Sequence, residues 1–289
     1  MNESHVSVPL PVRLRFGHAA VQRLAENIGV DMLHIKGAAV DPTLRPGNYA
    51  GTDVDVLVRP AQVPALDRAM RQHGWRLYST FEYGSPFGHA QTYLHDAWGY
   101  VDLHRFFPGI KLEPGRAFDV FWSDRHETEI ATVGCPVPHV TAQAVLLLLN
   151  AARAPRQARS DVSAAWREAS EEQRREIERL VGRLHAEVAF AAATGGLERY
   201  VNARDYRLWK VVSEGGSRSE EWWARIRAAP NVWAGLRIAA RAPLVNVDHL
   251  AHRLGRTPTR RDIVLEFLRR PVSAIREVAR VMRRKTVRR

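Results

Sequence analysis

Apolar residues at Leu14, Ala19, Ala20, Leu24, Ala25 and Ile28 recur at helical spacing and stop at Gly29, which predicts an amphipathic first helix. The short apolar stretch Val30 to Ile35 ends at Lys36-Gly37 and predicts a strand turning into a helix or loop. Asn48 to Thr52 reads as a turn into Asp53-Val54-Asp55-Val56-Leu57-Val58. Side chains alternate along a strand, so Asp53, Asp55 and Leu57 share one face and Val54, Val56 and Val58 the other. Pro60 is placed to open a helix with the stripe Val63, Leu66, Ala69 and Met70, ending near His73-Gly74. Strands are predicted at Trp75 to Thr80, Ala90 to His95 and Gly99 to His104. In the last, Tyr100, Asp102 and His104 oppose Val101 and Leu103.

Glu127 to Val140, rich in β-branched residues and carrying Pro136 and Pro138, predicts a closing hairpin or edge strand. Beyond Thr141, read as a helix N-cap, strand patterns give way to helical ones: Ala142 to Ala152, Glu171 to Ala193, Leu197 to Val212, Glu220 to Ala228, Val232 to Ala240 and Thr259 to Arg284. The expected class is therefore α+β. Residues 1–140 form a sheet domain with helices on its aliphatic face, and residues 141–289 form an all-α domain. The acidic side is left open to a cleft between them.

With 289 residues and 45% hydrophobic content, the chain can bury one large core or two modest ones. No window approaches about 18 consecutive apolar residues, so no transmembrane segment is expected. The first residues lack the basic start, apolar middle and small-residue cleavage site of a secretory signal, and a cytoplasmic protein is expected. Cys135, the sole cysteine, rules out an intramolecular disulfide and a cysteine-based zinc cluster. The net charge of +12 is concentrated at the end. Arg253 to Arg289 holds 13 Arg or Lys against Asp262, Glu266 and Glu277, or +10. Within it Val272, Ile275, Val278, Ala279 and Met282 make an apolar stripe on a basic helix that docks, contacts a polyanion such as RNA, or lies on an anionic membrane. His249-x-x-His252 has the one-turn spacing of a metal pair but no evident third ligand. Trp222, Trp223 and Trp233 stand among arginines, suited to base stacking or to packing.

The chemistry concentrates in the aspartates. Carboxylates two apart on a strand project from one face roughly 7 Å apart, and a third from a neighbouring strand completes a cage of hard oxygens suited to Mg²⁺ or Mn²⁺. Paired cations roughly 4 Å apart stabilise the entering and leaving oxygens of an in-line phosphoryl displacement. Like charges crowded on one sheet face repel one another without a cation to neutralise them.

The order Leu33-His34-Ile35-Lys36-Gly37, then Gly51-Thr52-Asp53-Val54-Asp55-Val56-Leu57-Val58-Arg59-Pro60, then Val101-Asp102-Leu103-His104 resembles a group of bacterial nucleotidyltransferases of the polymerase-beta superfamily. The resemblance covers about residues 30 to 150. It implies a polymerase-beta-type core, a mixed sheet with helices on one face, and a helical domain that helps close a nucleotide cleft. It further implies that Asp53 and Asp55 hold two metal ions gripping an NTP such as ATP. Asp102 would bind one of them and help activate an acceptor hydroxyl. The implied activity moves a nucleoside monophosphate to that hydroxyl with release of pyrophosphate; the alternative is a catalytically inactive nucleotide- or RNA-binding module of the same fold.

Lys36 and Gly37 stand where many superfamily members carry a Gly-Ser pair touching phosphate, so Lys36 is either a point charge on phosphate or a loop lysine in solvent. His104 contacts metal, phosphate or acceptor, or is structural. Arg45 binds phosphate or faces solvent. Asn150-Ala151-Ala152 occupies the stretch where the family tends to have a histidine, and Asp161 is the match for a later aspartate. The acceptor, whether small molecule, peptide or RNA, and the base preference are not readable from these residues.

Overall fold

The computed structural model describes residues 8–45, 51–82, 87–153, 159–229, 231–241, 250, 254, 258–262 and 264–265. The first helix, α1 (Leu10–Asn27), carries Pro11 in its first turn and ends before Gly29, whose φ of 66° needs no Cβ to be accommodated. Five strands follow: β1 (Met32–His34), β2 (Val54–Val58), β3 (Arg76–Ser79), β4 (Ala90–His95) and β5 (Gly99–His104). They form one sheet in the order β1-β2-β5-β4-β3. Only β2 and β5 run parallel; the connection between them includes α2 (Val63–Gln72) and the β3–β4 pair.

The two-faced reading of the strands holds. Val54, Val56 and Val58 of β2, Tyr93 of β4, and Val101 and Leu103 of β5 pack with Leu14, Val21 and Leu24 of α1 and Leu66 and Met70 of α2 into one core. Each such side chain fully buried contributes roughly 1.5–3 kcal/mol. Helices thus cover the aliphatic face. The opposite face keeps Asp55, Asp102 and His104, together with a buried Leu57.

After α3 (Pro114–Ser123), β6 (His126–Ile130) and β7 (Val133–Val137) form the expected hairpin, a separate two-stranded sheet. Cys135 is buried there with Ala19, Ala39, Ile130 and Val137. The next helix, α4 (Val140–Ala151), starts one residue before Thr141; its N-cap is His139, whose ring accepts from Thr141 N. Nine of its twelve residues are buried, which a run of Val and four Leu requires. It is followed by α5 (Arg159–Val162), a wider turn over Ser163–Arg167, α6 (Glu171–Arg183) and α7 (Glu187–Thr194). The single helix expected over 171–193 is therefore two, broken around His185 with its left-handed φ of 52°.

The chain divides into two compact units, Met1–Gly195 and Gly196–Arg289. The change from strands to helices at residue 140 lies inside the first. Within the second, a 3₁₀ turn at Leu197–Tyr200 precedes α8 (Tyr206–Glu214), α9 (Arg218–Ala228) and α10 (Val232–Arg241). Trp223 and Trp233 are exposed rather than packed. Among the described residues no helix is long and apolar enough to cross a membrane. His249-x-x-His252 and the basic stripe from Pro271 onward lie outside the described residues.

Candidate active site

Parallel pairing of β2 with β5 sets Asp55 directly beside Asp102 and Leu57 beside His104. Donor atoms of Asp55, Asp102 and His104 lie within 4.8 Å of one another. Asp53, just ahead of β2, stands outside this tightest group, although its charge is felt by Asp102. The sequence placed Asp53 and Asp55 as equivalent members of one strand face; the strand begins a residue later, and Asp55 with Asp102 makes the close pair.

Lys36 reaches the same spot because Ile35 N donates to Asp55 O at 3.1 Å, extending the β1–β2 pairing past His34. Its Nζ donates to Asp55 Oδ1 at 2.5 Å, and His104 Nε2 meets that same oxygen at 2.8 Å. Lys36 is thus no solvent lysine: its side chain is 17% exposed and ion-paired. Gly37 opens a short 3₁₀ turn at a φ of 63°. Its Cα lies 3.7 Å from where a Cβ on Gly51 would sit, so two left-handed glycines meet at the entrance to β2.

The electrostatics differ from one carboxyl to the next. Burial pushes Asp55 up, but the Lys36 charge and the His104 hydrogen bond outweigh it and hold Asp55 below the usual carboxylate range. Asp102 has only the Thr92 hydroxyl, at 2.6 Å on Oδ1, and burial beside the Asp55 charge pushes it up to about 7. Asp53 is also raised, by burial and then by Asp55. Burial holds His104 down to about 4, so the ring is neutral at pH 7 and donates its one N–H from Nε2 to Asp55.

The donor set fits a divalent cation. All hydrogen bonds to Asp55 and Asp102 fall on the Oδ1 atoms, so each carboxylate keeps an oxygen without a partner among the described residues. Buried His104 Nδ1 has none either. Like charges are gathered where one lysine cannot balance them, which is the situation a hard cation relieves.

Arg45 is taken up elsewhere. Its Nε and Nη2 make a two-pronged pair with Asp161, at 2.8 and 2.6 Å, and both side chains are largely buried. The two residues that the sequence singled out separately are partners, tying the loop ahead of β2 to α5. Two site residues escaped the sequence reading. The His89 ring lies 5.0 Å from that of His104, tilted by 51°, and Arg153, just past α4, lies 2.9 Å from His89 Nε2. Arg153 directly follows Asn150-Ala151-Ala152, and the long leucine run that buries α4 is the one sequence signal that this end is held inside.

No family model and no curated protein matches the chain. Solved structures similar to it include the lincomycin-bound lincosamide antibiotic adenylyltransferase LnuA, at 15% identity and a TM-score of 0.35, covering 57% of this chain and 94% of that one. The antibiotic-resistance factor ANT(2'')-Ia gives 12% and 0.39, covering 65% of this chain and 93% of its own. An antigenic nucleotidyltransferase-like protein from Paracoccidioides brasiliensis gives 14% and 0.38, covering 62% and 93%.

Proposed function

We propose that this chain is a metal-dependent nucleotidyltransferase that moves a nucleoside monophosphate from an NTP, such as ATP, to an acceptor hydroxyl and releases pyrophosphate. The observation that carries the reading is the meeting of Asp55, Asp102 and His104 donor atoms within 4.8 Å on the face of a mixed sheet opposite its aliphatic core.

Asp55 and Asp102 would hold Mg²⁺ or Mn²⁺, with Asp53 completing the set. When bound, the cations neutralise the phosphate oxygens and lower the pKa of the acceptor hydroxyl. The chain's own residues supply the positioning. His104 donates to Asp55 Oδ1 and fixes the plane of that carboxylate, and the Thr92 hydroxyl does the same for Asp102. Lys36 stands in for a cation while the nucleotide is absent. Once Asp55 is otherwise engaged, it is released to a phosphate oxygen. The left-handed Gly37 lets the backbone run close to the phosphates without a Cβ in the way. Asp102 accepts the proton of the acceptor hydroxyl as its oxygen bonds to the α-phosphorus and the bond to the leaving pyrophosphate breaks. In this reading the first 140 residues are the catalytic domain, α4 to α7 of the same compact unit complete the nucleotide site, and the basic C-terminal segment follows in the sequence.

Isothermal titration of each NTP, with and without Mg²⁺, into wild type and an Asp53→Asn, Asp55→Asn double variant tests the reading. Metal-dependent binding is expected in the first and not in the second. Asp53→Asn or Asp102→Asn alone should abolish pyrophosphate release while leaving the circular dichroism spectrum unchanged; near-wild-type release in either would sink the mechanism. Binding of Mg²⁺ and NTP with no pyrophosphate release for any acceptor would identify a binding module instead.

A further inference from the structure

Among the described residues, Arg153 is a partly buried cation on the acidic side whose hydrogen-bond partners are both neutral. Its Nη1 lies 2.9 Å from His89 Nε2 and its Nη2 donates to Asn150 Oδ1 at 3.0 Å. Its Nε is buried with no partner, and among the described residues no carboxylate lies within ion-pairing distance. The aromatic rings of Phe107 and Phe87 stand 5.4 and 5.9 Å from the guanidinium carbon. Burial pulls its pKa down to about 10, opposed by the charges of Asp55 and Asp102, so it remains a cation at neutral pH and sits within reach of their field.

A chain of contacts joins it to the carboxylates: Arg153 to His89, the His89 ring to that of His104, and His104 to Asp55. Burial keeps His89 neutral. Its Nε2 therefore accepts from Arg153, and the ring orients the guanidinium without neutralising it. A guanidinium buried among neutral groups is costly to keep unless an anion completes it. It cannot serve as a metal ligand, and its planar fork matches phosphate.

We propose that Arg153 anchors a phosphate of the bound NTP beside Asp55 and Asp102, with His89 and Asn150 as positioning residues. This rests on the nucleotidyltransferase reading and adds to it the group that meets the polyphosphate from the α4 side. Metal and phosphate then respond to Arg153 with opposite signs. A cation bound alone is repelled by it, whereas a polyphosphate is attracted.

The test titrates the whole chain, as wild type, R153M and R153K, with Mn²⁺ alone, with each of ATP, CTP, GTP and UTP plus Mn²⁺, and with inorganic tripolyphosphate plus Mn²⁺. In R153M, binding of NTP and tripolyphosphate is expected to weaken roughly tenfold or more, while Mn²⁺ alone binds as tightly as in wild type or more tightly. R153K keeps the charge without the fork and should fall between. Unchanged NTP binding in R153M overturns the proposal and leaves the nucleotidyltransferase reading intact. Equal weakening of Mn²⁺ and NTP also overturns it, because that is the signature of a packing role. If R153M gives no cooperative melt, R153K carries the decision: selective loss of polyphosphate supports the anchor, and unchanged binding of tripolyphosphate refutes it. A wild type that binds Mn²⁺ but no NTP and no tripolyphosphate overturns both readings.

Discussion

At Asp55 and Asp102, neighbours in the β2–β5 register, the same burial has opposite outcomes because the partners differ. Asp55 holds Lys36 and His104, while Asp102 has a hydroxyl and a like charge. The neutral substitutions should therefore move stability in opposite directions when no divalent cation is present. Asp102→Asn keeps an oxygen for Thr92 and removes the repulsion, so at pH 8 in EDTA the thermal midpoint is expected to rise by roughly 2–4 °C. Asp55→Asn leaves the Lys36 ammonium inside without a counter-charge, a loss of about 3 kcal/mol, and the midpoint falls. Differential scanning calorimetry of the two variants checks both signs, and a drop in both would mean that Asp102 is held by something other than repulsion. Adding Mn²⁺ should reverse the order of wild type and Asp102→Asn, since only wild type regains stability from the ion. The aspartates were legible in the sequence because alternation along a strand puts their charge on one face. Arg153 and His89 were not, because 64 positions separate them and only the packing of α4 brings them together.

Elements read cleanly where a period was long and pure. The strands β2 and β5 keep aliphatic residues on one face and, Leu57 apart, polar or aromatic ones on the other, and their faces came out as expected. By contrast α3 shows only Ala117, Phe118 and Phe121 as its buried set and is capped by Glu113 rather than a residue common at N-caps, so Pro114 in its first turn was the one start signal in the stretch. The break at His185 gave no glycine or proline at the turn itself. Between α1 and β1 lies a further feature that no pattern announces. His18 Nδ1 and His34 Nδ1 are 2.8 Å apart, and His34 Nε2 lies 3.0 Å from Gln22 Oε1. Both rings are buried. Burial, opposed by the charge of Asp55 and helped to a smaller extent by Arg15, holds His18 down to about 4. Burial and the neighbouring ring hold His34 well below its ordinary value.

Two depressed histidines mean that the unfolded chain binds more protons than the native one once pH drops below about 6.5. The seam is thus intact above that pH and loses stability as pH falls toward 4, by up to about 1.4 kcal/mol per pH unit for each ring. Urea unfolding at pH 7, 6 and 5 should show this slope in wild type. A His18→Gln, His34→Gln variant should show a flatter one, with depressed carboxylates such as Glu26 common to both. Identical slopes would place the acid sensitivity elsewhere. Gly17 of the same helix passes so close to the sheet that an added Cβ would come 3.1 Å from Val54 Cγ2 and 3.3 Å from Trp98 O. Gly17→Val should therefore lower the urea midpoint despite removing a helix-interior glycine.

For the molecule as a whole, charge and chemistry are separated along the chain. Of the net +12, residues 253–289 carry +10, whereas Lys36, Asp53, Asp55, His89, Asp102, His104 and Arg153 all precede residue 196. The first compact unit, Met1–Gly195, contains the five-stranded sheet, the hairpin, and α1 through α7, and the apolar clusters under the sheet and at the hairpin are made of its own residues. A fragment of residues 1–195 should accordingly fold by itself, with one cooperative thermal transition, and bind Mn²⁺ within about threefold of the full chain, since every proposed ligand and both positioning hydrogen bonds are internal to it. Salt-sensitive binding to RNA should behave in the opposite way and disappear with the removed segment, because it follows the number of cationic side chains available to phosphates. Titration of Mn²⁺ and of a short RNA at two salt concentrations into both proteins separates the two properties. A fragment that melts without cooperativity would show that the helices after residue 196 are needed to hold the sheet. A fragment that folds and binds Mn²⁺ but keeps the RNA affinity would move the polyanion contact onto the sheet unit, where Lys36 pairs with Asp55 and Arg153 feels the charges of Asp55 and Asp102.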